Sequence, residues 1–137
     1  MRGSIHIYRV ISVALIIFIA FSSVCAQAKS PGESIKAFFM LANEGKYSAG
    51  EKYLSTEALK LLKEGPGLMK GGTKGYMDTL TANGNIAKIE IISEQIRGEG
   101  ATVSFKVHYK FKDGKVEVVD SKANLIKEDG EWKLSVK

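Results

Sequence analysis

The hydrophobic period of this chain changes once, near Asn85, and that change constrains the fold more than any other feature. Before Asn85, apolar side chains recur every three to four residues, which predicts helices. After it, apolar and polar residues alternate between glycine-containing turns, which predicts antiparallel strands. Helices first and strands second indicate an α+β domain whose N-terminal helices pack on one face of a bent antiparallel sheet of about four strands.

The helical half carries start and stop signals. Ser30, followed by Pro31 and by Glu33 three residues after the serine, predicts a capping box at the start of a first helix. Gly45 ends that helix, and two shorter helical segments follow. Residues 65–75 are rich in glycine and lysine but lack the spacing of a phosphate-binding loop, so we expect a surface loop there.

The second half predicts a meander of strands over residues 86–97, 102–111, 116–127 and 132–136. The pair Ile91-Ile92 breaks the alternation and predicts a bulge, and the pair Val118-Val119 predicts a second bulge in the third strand. Trp132 alternates with two apolar residues after a tight hairpin, so we expect its ring to be buried.

The first 28 residues have the pattern of a secretory signal. Arg2 and Arg9 flank a polar start, and an apolar run over residues 10–24 follows, which is shorter than the roughly 20 residues of a membrane-spanning helix. Small residues at Ala26 and Ala28 suit a cleavage site. We therefore expect a signal peptide over residues 1–28, a mature domain over 29–137, and export to the periplasm or the extracellular space.

Two alternatives to simple cleavage remain open. Lipidation at Cys25 would anchor the domain to a membrane, although Ser22 and Val24 fit a lipoprotein signal poorly. An uncleaved apolar segment would also act as an anchor. We favour simple cleavage, and membrane contact is expected only if one of these alternatives applies.

Composition excludes several classes of function. Of 20 basic residues, removal of Arg2 and Arg9 leaves 18 against 15 acidic ones, a mild excess spread among glutamates. A nucleic-acid partner is therefore not expected, because such proteins carry basic stripes beside stacking aromatic residues. Cys25 is the only cysteine, so the mature domain has neither a disulfide nor thiolate ligands for a metal. We expect no cofactor and no metal site.

Several segments resemble a known group of proteins. These are PGESIKAFF at residues 31–39, GKY at 45–47, KYLS at 52–55, ATVSFKV at 101–107 and KEDGEWKL at 127–134. The chain resembles small bacterial extracytoplasmic domains of unknown function in the nuclear transport factor 2-like, or cystatin-like, superfamily. The resemblance implies a cone of helices and sheet around a cavity. Superfamily relatives include isomerases, dehydratases, hydrolases and non-catalytic binding domains, so the fold leaves the activity open.

The candidate site residues follow from the side of the sheet on which each lies. Phe105, Val107 and Tyr109 share the apolar face of the second strand and would line such a cavity, joined by Tyr76 from the helices. Asp120 lies near the predicted bulge of the third strand, which could turn it inward as a catalytic carboxylate. His108 lies on the polar face of its strand and is expected to face solvent.

Two functions from different classes are consistent with these residues. The first is an exported, non-catalytic binding module for a small apolar molecule or a protein partner, with a homodimer through the sheet face as a candidate assembly. The alternative is a small isomerase-like or hydrolase-like enzyme that uses the cavity carboxylate. We favour the binding module because no inward acid or base stands out.

Overall fold

The computed structural model describes residues 29–65, 71–82 and 84–136. The expected signal peptide and Cys25 lie outside the described residues. The helices are α1 (Pro31–Asn43), α2 (Tyr47–Gly50), α3 (Thr56–Glu64) and α4 (Gly72–Thr81), with a 3-10 turn at Glu51–Tyr53. The strands are β1 (Asn85–Arg97), β2 (Gly100–Lys110), β3 (Val116–Glu128) and β4 (Glu131–Leu134), paired antiparallel in the order β1-β2-β3-β4. The predicted α+β class is confirmed. None of the described helices is long and apolar enough to cross a membrane.

The predicted capping box at the start of α1 is present. The Ser30 hydroxyl accepts the Glu33 N–H at 3.2 Å, and the Glu33 carboxylate accepts the Ser30 N–H at 2.9 Å. The carboxylate of Glu94 in β1 accepts the Gly32 N–H at 2.6 Å. Backbone N–H groups at the start of the helix therefore have hydrogen-bond partners both within α1 and on the sheet. The bond from Gly32 to Glu94 fixes α1 to β1.

The core lies between α1 and the sheet face that we call the inner face, which carries Val103, Phe105 and Val107. The Phe39 ring meets the Phe105 ring edge-on with centroids 5.4 Å apart. Trp132 is 8% exposed, which confirms its predicted burial. This packing covers the middle of the inner face.

The helices pack closely on one another at Gly50. A Cβ atom at this position would collide with the terminal methyl group of Met77, which is fully buried in α4. The missing side chain therefore lets α2 approach α4. α4 begins at Gly72, inside the segment where the sequence predicted a loop, while residues 66–70 lie outside the described residues.

The two predicted bulges have different outcomes. The register of β1 against β2 shifts between Ile91 and Ser93, which confirms the first bulge, and it also shifts between Ile86 and Lys88. The pairing of β2 with β3 runs without a shift, so the bulge predicted at Val118-Val119 is wrong. Both valines are partly exposed, at 47% and 37%, because neither sheet face is fully covered there. Without full burial on either face, strict alternation is not required.

The last strand is much shorter than its neighbour. β4 pairs only with Leu125–Glu128 of β3, and one more contact follows when the Ser135 N–H donates to the Asn124 carbonyl at 2.9 Å. Within the described residues, the first half of β3 is therefore an edge of the sheet.

Candidate functional site

The predicted cavity beneath the helices is filled by side chains. Phe105 and Val107 are 3% and 1% exposed, and both belong to the hydrophobic core. Tyr109, one pair further along β2, is half-buried and packs against that core. The inner face under α1 thus supplies packing, and the open space lies at its margin.

One open space at the edge of this packing is a groove of about 310 Å³ between α3, α4 and the ends of β3 and β4, which we call the Tyr76 groove. Its apolar lining includes Leu62 from α3, Ala123 from β3 and Val136 after β4. Tyr76 lines the groove from α4, and Lys122 is the charged residue among the described residues that line it. Of the four residues predicted to bind a ligand, Tyr76 alone lines this groove.

Tyr76 has an apolar ring environment and an unused hydroxyl. Its ring lies 5.9 Å from the Phe38 ring, and burial raises the pKa of the phenol. None of the described residues forms a hydrogen bond with its hydroxyl. A tyrosine phenol is protonated at neutral pH in any case, so this hydroxyl can donate a hydrogen bond but cannot act as a base.

The predicted catalytic carboxylate lies elsewhere. Because β3 has no bulge, Asp120 falls on the outer face of the sheet, where its side chain is 84% exposed and pairs with Lys106 at 3.1 Å. The expectation that a bulge turns Asp120 inward is wrong. His108 also lies on the outer face, as expected, and contacts the Glu90 carboxylate at 3.2 Å.

A second cleft, of about 340 Å³, lies where α1 begins, and its lining includes Ser34, Tyr53 and Trp132. The Lys29 ammonium donates to the Tyr53 hydroxyl at 2.7 Å, and this hydrogen bond raises the pKa of Lys29. Lys52 lies 5.2 Å from the centre of the same ring. Sequence reasoning missed this cleft because its residues come from three separate segments of the chain. The adjacent Lys52-Tyr53 pair was its only local signal.

A third polar cluster joins α2 to α4 at the surface. The Tyr47 hydroxyl donates to one Asp78 oxygen at 2.8 Å, and Lys74 donates to the other at 2.6 Å. These bonds, that of Lys74 first, hold the pKa of Asp78 below its usual value, and the bond to Asp78 raises the pKa of Tyr47. The cluster ties two helices together at the surface, apart from the groove. No group of three or more potential metal ligands occurs among the residues that the structure describes.

Solved structures of other proteins share this arrangement of helices on one face of a four-stranded antiparallel sheet. A solution structure of a SEC-C motif containing protein from Rhodopseudomonas palustris shares this fold, with a TM-score of 0.61, 11% identity, and coverage of 83% of this chain and 84% of that one. A crystal structure from Campylobacter jejuni, named as a proposed nuclear transport factor 2-like (NTF2-like) transpeptidase, has a TM-score of 0.52 and 17% identity. The match covers 80% of this chain and 100% of that one. At these identities the likeness shows the fold alone.

The chain belongs to the family described as "Domain of unknown function (DUF4878)", whose model matches residues 23–135. This membership confirms the predicted resemblance to a family of domains of unknown function, and the likeness to the Campylobacter jejuni structure shows that the fold is NTF2-like. No curated protein matches the chain.

Proposed function

We propose that this domain is a non-catalytic binding module that holds a small apolar molecule in the Tyr76 groove. The observation that carries the proposal is the combination of apolar lining residues with one tyrosine hydroxyl to which none of the described residues hydrogen-bonds. A volume of about 310 Å³ lies at the lower end of the range of small-molecule sites. The apolar walls would supply affinity, and the Tyr76 hydroxyl would orient a ligand that carries one hydrogen-bond acceptor.

The charges near the groove favour binding over catalysis. An isomerase-like or hydrolase-like reaction requires a base within reach of the bound substrate. Asp120 is exposed on the opposite face, and among the described residues the ionisable side chains that line the groove are those of Tyr76 and Lys122. A tyrosine phenol is already protonated at neutral pH, and burial raises the pKa of Tyr76 further, so its hydroxyl suits hydrogen-bond donation and not base catalysis.

A thermal-shift screen of small apolar compounds tests the groove directly. A ligand present at 100 times its dissociation constant stabilises the fold by about 2.7 kcal/mol, which such a screen detects. Replacing Tyr76→Phe removes one hydrogen bond and should weaken binding by roughly 2- to 12-fold. Tyr109→Phe is the matched control, because that tyrosine is also half-buried but lies outside the groove, and it should bind normally.

Two further variants fill the groove instead of altering its polarity. Ala123→Leu places a larger side chain in its floor, and Val136→Trp blocks it from an exposed position, so both should abolish the thermal shift. Chemical denaturation without ligand shows whether each variant folds. The proposal fails if no apolar compound shifts the melting temperature, or if the shift persists in a folded variant whose groove is filled.

We also propose that the domain works outside the cytoplasm, because residues 1–28 carry the charge, apolar core and small residues of a secretory signal. The intact mass of the exported protein is expected to correspond to a chain that begins near Lys29. A mass with a diacylglycerol adduct on a chain starting at Cys25 would contradict this prediction and place the domain on a membrane. A full-length mass in the membrane fraction would indicate an uncleaved anchor.

A further inference from the structure

The backbone groups of β3 show which residues face the open edge of the sheet. The Ser135 N–H donates to the Asn124 carbonyl, so Asn124 turns its backbone groups towards β4. In an antiparallel ladder this direction alternates along the strand. Val116, Val118, Asp120 and Lys122 therefore turn their N–H and C=O groups to the same side, beyond the end of β4. No strand pairs with them there among the described residues.

The opposite edge of the sheet, formed by β1, is protected in ways that β3 is not. β1 contains two register shifts, and the Asn43 side chain accepts the Ile86 N–H at 3.0 Å. Bulges and occupied backbone groups disfavour pairing of such an edge with another strand. The first half of β3 has no register shift and no proline, and valines occupy three of its first four positions. It is a regular, β-prone template, and none of the described residues pairs with its outward backbone donors and acceptors.

We propose that the open edge of β3 pairs with β3 of a second copy of this chain, joining two sheets across a twofold axis. Pairing centred on Val119 places this residue opposite its own copy and brings no two like charges directly opposite each other. Pairing centred one residue further on would instead set Asp120 against itself. The other pairs in the favoured register are Val118 with Asp120, Val116 with Lys122, and Glu117 with Ser121.

The favoured register uses the free groups completely. Each of the four edge-facing residues meets an edge-facing residue of the copy, which gives about eight new backbone hydrogen bonds. Asp120 near the axis already pairs with Lys106 at 3.1 Å, which offsets its charge. Val116, Val118 and Val119, now 56%, 47% and 37% exposed, would gain cover. This assembly uses the edge of the sheet, whereas the sequence-based expectation was a dimer through its face.

Cysteine cross-linking tests the register. In a Cys25→Ser chain produced from the full-length gene, Val119→Cys should form a disulfide-linked dimer on mild oxidation. Facing residues of a non-hydrogen-bonded pair lie about 4.5 Å apart between Cα atoms, within disulfide range. Val118→Cys is the matched control, because it lies diagonally from its copy at roughly 7–8 Å and should stay monomeric on a non-reducing gel. Equal cross-linking of the two variants, or none, would overturn the register.

Sedimentation equilibrium tests the association without any cross-link. The chain should show a concentration-dependent monomer–dimer equilibrium. Val118→Asp places a carboxylate opposite Asp120 of the copy on each side of the twofold axis and should weaken the dimer. Val118→Lys places a positive charge there and should strengthen it. Each effect should be roughly 2- to 30-fold in the dissociation constant, because the twofold axis repeats the pair. A monomer at every concentration, or equal effects from the two substitutions, would overturn the proposal.

Discussion

Val107 and Val119 are cross-strand partners on the inner face of the sheet, yet they have different environments. Val107 is 1% exposed within the core, whereas Val119 is 37% exposed one strand away. The elements that cover the sheet, which are the helices and β4, explain this difference. β4 ends after four residues, and the helices pack over the middle of the sheet. The helices and β4 therefore leave the first half of β3 uncovered. Both the Tyr76 groove and the open edge of β3 lie where that cover ends.

The largest expected effect tests the covered region. Phe105→Ala should lower the free energy of unfolding by about 3–5 kcal/mol, because the ring is buried against Phe39 and its loss leaves a cavity. Chemical denaturation monitored by circular dichroism measures this loss. Phe111→Ala is the matched control, since this phenylalanine follows β2 and is only partly buried, and it should cost about 1 kcal/mol or less. Similar losses at the two positions would show that the cover extends further than the packing indicates.

The sequence predicted well those features that depend on neighbouring residues. The capping box requires only Ser30 and Glu33, and the bulge at Ile91-Ile92 follows from one local break in alternation. The same reasoning failed at Val118-Val119, where two adjacent valines were interpreted as a bulge. The strand is regular there, and it tolerates two adjacent valines because both of its faces are only partly covered. That exposure depends on the length of β4 and the position of the helices, which no local pattern contains.

The candidate site was predictable only in part for the same reason. Tyr76 could be chosen from helical periodicity, and it does line a groove. The other walls come from α3, β3 and the residues after β4, whose meeting is a result of the tertiary fold. Phe105 and Val107 were placed on the correct face of β2, but whether that face borders a cavity or a packed core depends on side chains from α1.

The smallest expected effect compares the two valines by the same substitution. Val107→Ala should lower the free energy of unfolding by about 2–3 kcal/mol, the cost of removing buried methyl groups and leaving a cavity. Val119→Ala in dilute protein should cost about 0.5 kcal/mol or less, because much of that side chain already contacts water. The two substitutions remove identical atoms from facing positions. The difference between the two losses of unfolding free energy therefore measures how much more deeply Val107 is buried than Val119. Denaturant titration of both variants measures it.

Repeating that titration at increasing protein concentration sharpens the comparison further. If β3 pairs with its copy, the apparent stability of the unmodified chain rises with concentration by mass action. Val119→Ala should then become more costly as concentration increases, while the cost of Val107→Ala stays constant because that side chain is covered in the monomer. A loss at Val119 that stays constant over a hundredfold range of concentration would show that this end of the sheet remains open to solvent. The exposure of Val119 would then be a property of the working protein, and the Tyr76 groove would be the feature at the end of the cover that retains a proposed role.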